Sequence, residues 1–201
     1  MKPSYKFYKL CFRVLRPVIG ICYRIRVTGR ENICDGKALV CANHSSSADP
    51  FLIAFAFGVE NHMHMIAKIE LFRKPVLSQI LQKMGMISVD RATLDMSTIK
   101  KTYKLFDNNE KVVIFPEGTR VSRDDAATAK SGAIKLAEHT DTPLIPLYLP
   151  RKKPPFRRVP VVIGEPYYIK KQDKKRSEEE YARLADELMK RIGDLGHNEN
   201  H

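Results

Sequence analysis

The sequence predicts a single α/β domain, with a mixed, mostly parallel sheet flanked by helices and a basic amphipathic helix at the N-terminus. Three observations carry that prediction. Short apolar runs at residues 38–42, 112–115 and 143–149 alternate with segments of helical apolar spacing, the pattern of parallel strands joined by helical crossovers. Two of these runs break abruptly into polar residues, and in α/β sheets functional groups gather where strands end. The length of 201 residues, with 43% hydrophobic and 29% charged, suits one domain with a sizeable core, and no internal repeat interrupts it.

The chain opens with Phe7, Leu10, Cys11, Val14, Val18, Ile21, Cys22 and Ile25 at helical spacing, with Lys6, Lys9, Arg13 and Arg16 beside them. Pro17 and Gly20 predict a bend or an end to that helix. Its longest uncharged stretch, residues 17–23, is too short to span a bilayer. An apolar face bordered by cations suits a helix lying in the headgroups of an anionic leaflet, and it equally fits a helix packed on the domain with solvated charges. The chain is accordingly divided into a membrane-associating helix, residues 1–22, and a main domain, residues 23–201.

A strand over residues 24–28 and a turn at Gly29 precede the apolar strand 38–42, which runs into the polar turn 43–50 and a helix over 51–57. Residues 62–67 read as a strand whose His62 and His64 share one face at the spacing of a metal-binding pair. With no third ligand evident, the two are read as surface histidines and no metal is assigned. A helix over 71–83, a strand over 85–91, a helix over 95–107 and the strand 111–115 follow. After a polar loop, residues 132–138 form a helix, 143–149 a strand bracketed by prolines, and 159–163 a further strand. Ser177 with Glu180 three residues on is a capping box that starts the terminal helix.

The net charge of +12 is concentrated in two places. Residues 1–30 and 151–176 each contribute +8, so the rest of the chain is net −4. Such patches face an anionic partner, either a membrane surface or an acidic carrier protein. Nucleic acid does not fit, because neither patch has an aromatic-interleaved sheet motif or a recognition-helix pattern. Cys11, Cys22, Cys34 and Cys41 form no C-x-x-C pair, as expected of reduced thiols in a cytosolic setting, and no secretory signal pattern precedes them.

The chemistry lies in two turns. His44 and Asp49 occupy opposite ends of the turn 43–50, close enough for the carboxylate to hold one imidazole nitrogen and leave the other as a base. Asp49 before Pro50 also has the form of a helix N-cap. The second turn, Phe115-Pro116-Glu117-Gly118-Thr119-Arg120, ends a strand in the same way. There Gly118 permits close backbone approach, and Arg120 offers a planar fork that matches a phosphate.

With these residues the chain resembles the glycerolipid acyltransferases, most closely the bacterial 1-acylglycerol-3-phosphate (lysophosphatidic acid) acyltransferases. The N-H-x-x-x-x-D block is matched by Asn43, His44 and Asp49, and F-P-E-G-T-R by Phe115 through Arg120. A Gly-to-Arg block is similar to residues 85–91, and an apolar strand with a proline to Leu144-Ile145-Pro146-Leu147. The resemblance implies acyl transfer from acyl carrier protein or coenzyme A thioesters to the sn-2 hydroxyl of lysophosphatidic acid, without a further cofactor. It implies His44 as general base and Asp49 as its partner, with backbone N–H groups of residues 45–47 near the oxyanion. Arg91, Arg120 and Lys68 would then grip the phosphate, Glu117 and Thr119 orient the glycerol with Gly118 letting the backbone approach the substrate, and Pro146 line the acyl pocket. The place implied is the cytoplasmic face of the cell membrane, peripherally attached. Glycerol 3-phosphate or another lysophospholipid remains open as acceptor. A thioesterase, with His44 activating water, and a non-catalytic membrane binder are the rival classes.

Overall fold

The computed structural model describes residues 3–89, 96–122, 129–172, 174 and 176–198. A seven-stranded sheet runs in the order β1 (Arg24–Thr28), β7 (Arg158–Ile163), β6 (Leu144–Tyr148), β2 (Ala38–Ala42), β5 (Lys111–Ile114), β3 (Met63–Lys68), β4 (Ile87–Val89). Among the strand pairs of the described residues only β6–β7 is antiparallel, so the sheet is mixed and mostly parallel. From β2 to β6 the consecutive strands run parallel and are joined by helical crossovers, which put α2 (Asp49–Phe57), α3 (Pro75–Lys83), α4 (Met96–Asp107) and α5 (Gly132–Thr140) between strands. Helix α6 (Glu178–Asn198) closes the chain.

Strand β2 lies in the middle of the sheet and is buried at all five residues, which explains its continuous apolar run. Its side chains alternate between two cores. Ala38, Val40 and Ala42 pack with α2, whereas Leu39 and Cys41 pack with Ile134 of α5 and Leu188 and Ile192 of α6. Burial pushes the Cys41 thiol far above its usual range, and all four cysteines are free.

Several expectations change in detail. The predicted helix over 71–83 divides into a 3₁₀ turn, Ile69–Arg73, and α3, because Pro75 lacks an N–H to continue a helix and is suited to begin one. The expected bend at Pro17 does not end α1 (Tyr5–Cys22), which runs through it as an exposed position. The expected apolar stripe of α1 is not the face that packs on the domain: that face is carried by Tyr8 and Phe12, outside the stripe. Tyr8 and Phe12 are buried, Phe12 edge-on to Phe55 of α2 at 4.8 Å, while Leu10, Val14, Val18 and Ile21 are between 57% and 68% exposed. The surface reading of the histidine pair is overturned as well: His64 is 2% exposed. The capping box at α6 forms as read, with Glu180 N–H donating to Ser177 Oγ and Ser177 N–H to Glu180 Oε2.

Just past β2, Asn43 is 2% exposed and spans the gap to the end of β6. Its Nδ2 donates to the Leu149 carbonyl at 2.6 Å, and its Oδ1 accepts from the Leu149 N–H at 2.8 Å. The side chain thus supplies the pairing that the two backbones no longer make. Asn43→Ala strands both Leu149 groups, each costing about 1–3 kcal/mol, so urea unfolding should show a loss of at least about 2 kcal/mol. A loss within ~0.5 kcal/mol would mean that water replaces the clamp.

Candidate active site

The polar turn after Asn43 is folded by one carboxylate. Oδ2 of Asp49 lies 2.9 Å from His44 Nδ1 and accepts the backbone N–H groups of Ser45 and Ser46, each at 2.8 Å. Asp49 is fully buried, yet it does not cap its own helix: Ala48 holds the N-cap position without a side-chain bond, and Asp49 instead reaches back over the preceding turn. The Ser45 and Ser46 amides expected near an oxyanion are therefore already occupied. With Nδ1 held by a carboxylate, the proton resides there and Nε2 keeps its lone pair. The imidazole lies flat on Phe115, centroids 4.0 Å apart, and its side chain remains 12% exposed.

The second turn meets the first through the His44 backbone. Oε2 of Glu117 accepts the His44 N–H at 2.7 Å, and the Val121 N–H donates to the His44 carbonyl at 2.7 Å. Glu117 is also paired with Arg151, whose Nη1 lies 3.0 Å from Glu117 Oε2 and whose Nη2 contacts Oε1. Its side chain is completely buried and that of Arg151 is 8% exposed. Both Glu117 oxygens are thus engaged, Oε2 by the His44 N–H and Arg151 and Oε1 by Arg151, which leaves the buried carboxylate no free edge for a substrate glycerol.

Lys153 completes the arrangement. Its ammonium sits 2.8 Å from Asp49 Oδ1 and 2.7 Å from Ser45 Oγ, with the side chain 3% exposed. Burial by itself would raise the Asp49 carboxyl, but His44, Lys153 and the Ser46 N–H outweigh it and hold the group below its ordinary value. Burial pulls the Lys153 ammonium below its usual value, with Asp49 offsetting part of that. The site therefore contains two buried ion pairs, Asp49–Lys153 and Glu117–Arg151, arranged around one histidine.

His44, Asp49, Glu117, Gly118, Thr119 and Arg120 are brought to one corner at the carboxyl ends of β2 and β5. Arg120 is exposed and donates from Nη1 to Ser47 Oγ at 2.8 Å, tying the two turns together at the surface. Gly118 has φ of +68°, and a Cβ there would meet Lys130 Cε at 2.9 Å, so the glycine admits the Lys130 stem across the turn. Lys68 ends β3, the neighbour of β5, and is exposed. Arg91 lies outside the described residues. Pro146 departs from expectation: its ring abuts Gly164 and the α6 side of the sheet, opposite the core that carries Phe115 and α2. Strand alternation turns residue 146 away from the face used by Ile145 and Leu147, which removes it from the surroundings of His44.

Arg151, Lys153 and Lys130 were not singled out by the sequence. Arg151 and Lys153 were counted with the outward basic patch, and a third member, Arg176, is also turned inward to Glu138 at 2.8 Å. The available signal was positional, since residues 151–153 follow an apolar strand as His44 follows β2.

The model of the family described as Acyltransferase matches residues 24–150. The chain belongs to the acyltransferase family. It is 30% identical over 195 residues to a 1-acyl-sn-glycerol-3-phosphate acyltransferase of Bacillus subtilis, covering 94% of this chain and 96% of that protein. A Borreliella burgdorferi protein of the same name is 31% identical over 149 residues, 73% of this chain and 58% of the relative. The crystal structure of the 1-acyl-sn-glycerophosphate acyltransferase PlsC from Thermotoga maritima superposes with a TM-score of 0.62 at 26% identity, over 96% of this chain and 78% of that one. The matched residues contain both polar turns and end one residue before Arg151.

Removing one member of a buried ion pair leaves an uncompensated charge. Arg151→Met should therefore destabilise this acyltransferase by about 3–5 kcal/mol in urea unfolding, and adding Glu117→Gln should recover part of that. Equal stability of wild type and Arg151→Met would show that the pair is solvated rather than buried.

Proposed function

We propose that this chain transfers a fatty acyl group from an acyl thioester to the hydroxyl of 1-acylglycerol 3-phosphate, giving phosphatidic acid. The names of the relatives state that acceptor, and with the acyl group at position 1 and phosphate at position 3 the free hydroxyl is at sn-2. The observation that carries the reading is the His44 Nδ1–Asp49 Oδ2 contact at 2.9 Å, which leaves Nε2 as the basic nitrogen beside the Phe115–Arg120 corner.

His44 Nε2 removes the hydroxyl proton as the oxygen attacks the thioester carbonyl. The imidazolium that forms is stabilised by Asp49, which Lys153 keeps ionised. As the tetrahedral intermediate collapses, the carbon–sulfur bond breaks and the thiolate takes the proton back from His44, so acid and base balance. The nucleophile belongs to the substrate, and no acyl-enzyme is required. Arg120 is the phosphate ligand best supported by position, with Lys130 across Gly118 as a second cation and Lys68 and Arg91 as further candidates. The donor is an acyl carrier protein or coenzyme A thioester.

A lipid acceptor requires contact with a membrane, and α1 suits that task as a docking element on the main domain, residues 23–201. Leu10, Val14, Val18 and Ile21 point outward at helical spacing, beside exposed Lys6, Arg13 and Arg16. An open groove of about 660 Å³ along α1 is lined by Phe12, Arg13, Arg16, Pro17, Gly20, Ile21 and Val59, apart from the His44 site. No described helix is long and apolar enough to cross a membrane. An apolar ridge flanked by cations fits the surface of an anionic leaflet on the cytoplasmic side.

Two measurements test these readings. His44→Ala should lower turnover of lysophosphatidic acid roughly 10²–10⁴-fold, assayed as phosphatidic acid formed with each thioester donor. Turnover within ~3-fold of wild type would remove His44 as the base, and free fatty acid as the sole product would favour hydrolysis. Replacing Leu10, Val14, Val18 and Ile21 with serine should reduce flotation with anionic vesicles roughly a hundredfold without loss of helical content, because these side chains are already in water. Undiminished flotation would assign docking to another surface.

A further inference from the structure

At the amino end of the sheet, away from His44, three ligand-bearing side chains converge. One nitrogen each of His62 and His64 and a carboxylate oxygen of Glu110 all lie within 4.8 Å of one another. They come from the start of β3 and the residue before β5, two paired strands. We propose that His62, His64 and Glu110 form a binding site for a divalent transition metal of the zinc type.

The hydrogen bonding assigns each imidazole a definite free nitrogen. His62 Nε2 lies 3.0 Å from the Met84 carbonyl and His64 Nδ1 2.7 Å from the Gly85 carbonyl. A carbonyl only accepts, so both of those nitrogens carry the proton, and the lone pairs are on His62 Nδ1 and His64 Nε2. Fixing the imidazole tautomer through a backbone carbonyl is how metal-ligating histidines are commonly oriented. His64 Nε2 is buried with no hydrogen-bond partner among the described residues, and it faces Glu110 Oε2 at 3.5 Å. Two lone pairs opposed at that distance call for a cation between them.

Spacing and surroundings agree with this. Tetrahedral zinc with ligands at about 2.0–2.1 Å sets neighbouring ligand atoms roughly 3.3 Å apart, so His64 and Glu110 are already near that spacing, and His62 lies within side-chain reach of it. A fourth position is left for water. The turn carrying both carbonyls closes over the rings: Gly85 has φ of +81°, and a Cβ on it would lie 2.7 Å from His64 Nδ1 and 3.2 Å from His62 Cε1. On the other side Tyr8 of α1 packs against His62, centroids 4.4 Å apart. A bound ion would tie β3 and β5 directly, and through the ring contacts it would reach the α3–β4 turn and α1.

The chemistry is that of a borderline ion, since imidazole and one carboxylate favour zinc, cobalt or nickel over magnesium or calcium. Chelator-treated full-length protein should take up one Zn²⁺ per chain in equilibrium dialysis, with a rise in Tm. Co²⁺ in its place should show the visible absorption of a tetrahedral site. Glu110→Gln, a half-exposed isosteric change, should weaken Zn²⁺ uptake at least roughly tenfold and abolish the Tm rise, and His62→Asn should do the same. His44→Ala should keep both, which separates this site from the acyltransfer turn. No uptake by wild type, or uptake unchanged in Glu110→Gln and His62→Asn, would overturn the proposal.

Discussion

The structure of the site depends on satisfying one buried carboxylate. Asp49 is removed from water and must find donors for both oxygens, because an unmatched charge in the interior is far more costly than any contact nearby can repay. Oδ2 faces the His44 ring nitrogen and the Ser45 and Ser46 amides, and Oδ1 faces Lys153. These partners can be present together only if the chain turns back at the end of β2 and the segment after β6 folds inward. The direction of the His44 ring is a consequence of that closure.

A second buried pair restrains the same histidine from its backbone. Glu117 accepts the His44 N–H, while the His44 carbonyl receives the Val121 N–H and Arg151 Nη1. With Nδ1 engaged and the ring flat on Phe115, Nε2 is the ring nitrogen left for chemistry. The two ion pairs cancel internally, so the exposed cations Arg120 and Lys130 contribute positive potential at the corner without neutralising partners of the buried set. Buried pairs of this kind add little net stability over apolar packing, and their physical contribution is a defined geometry.

Helix α1 shows how one amphipathic pattern can serve two surfaces. Its buried side ends in aromatic contacts, Tyr8 on His62 and Phe12 on Phe55, which fix the helix against the domain. The opposite side presents aliphatic residues to solvent with basic neighbours. A helix with only one apolar face would have to choose between docking and exposure. Here the small turn between Tyr8 and Leu10, about 200° at 100° per residue, separates the two roles.

Strand and helix order was legible in the sequence because apolar period and punctuation act locally. Residues 38–42 and 112–114 are continuous apolar runs since both faces of a parallel sheet are covered, and the Ser177–Glu180 box marked the start of α6. The His44–Asp49 and Glu117–Arg120 turns were legible too, for each is a polar set ending an apolar strand. Composition, by contrast, assigned Arg151 and Lys153 to the surface, and nothing local marks Glu110 as a neighbour of His64. Which face Pro146 adopts and which carboxylate meets which cation depend on strand order and on contacts more than thirty residues apart. By itself the sequence determined the elements and the residue types at their ends, because those follow from short-range sterics and hydrophobic period. Tertiary structure decided the pairing of buried charges, because desolvation energy is settled only when distant segments exclude water together.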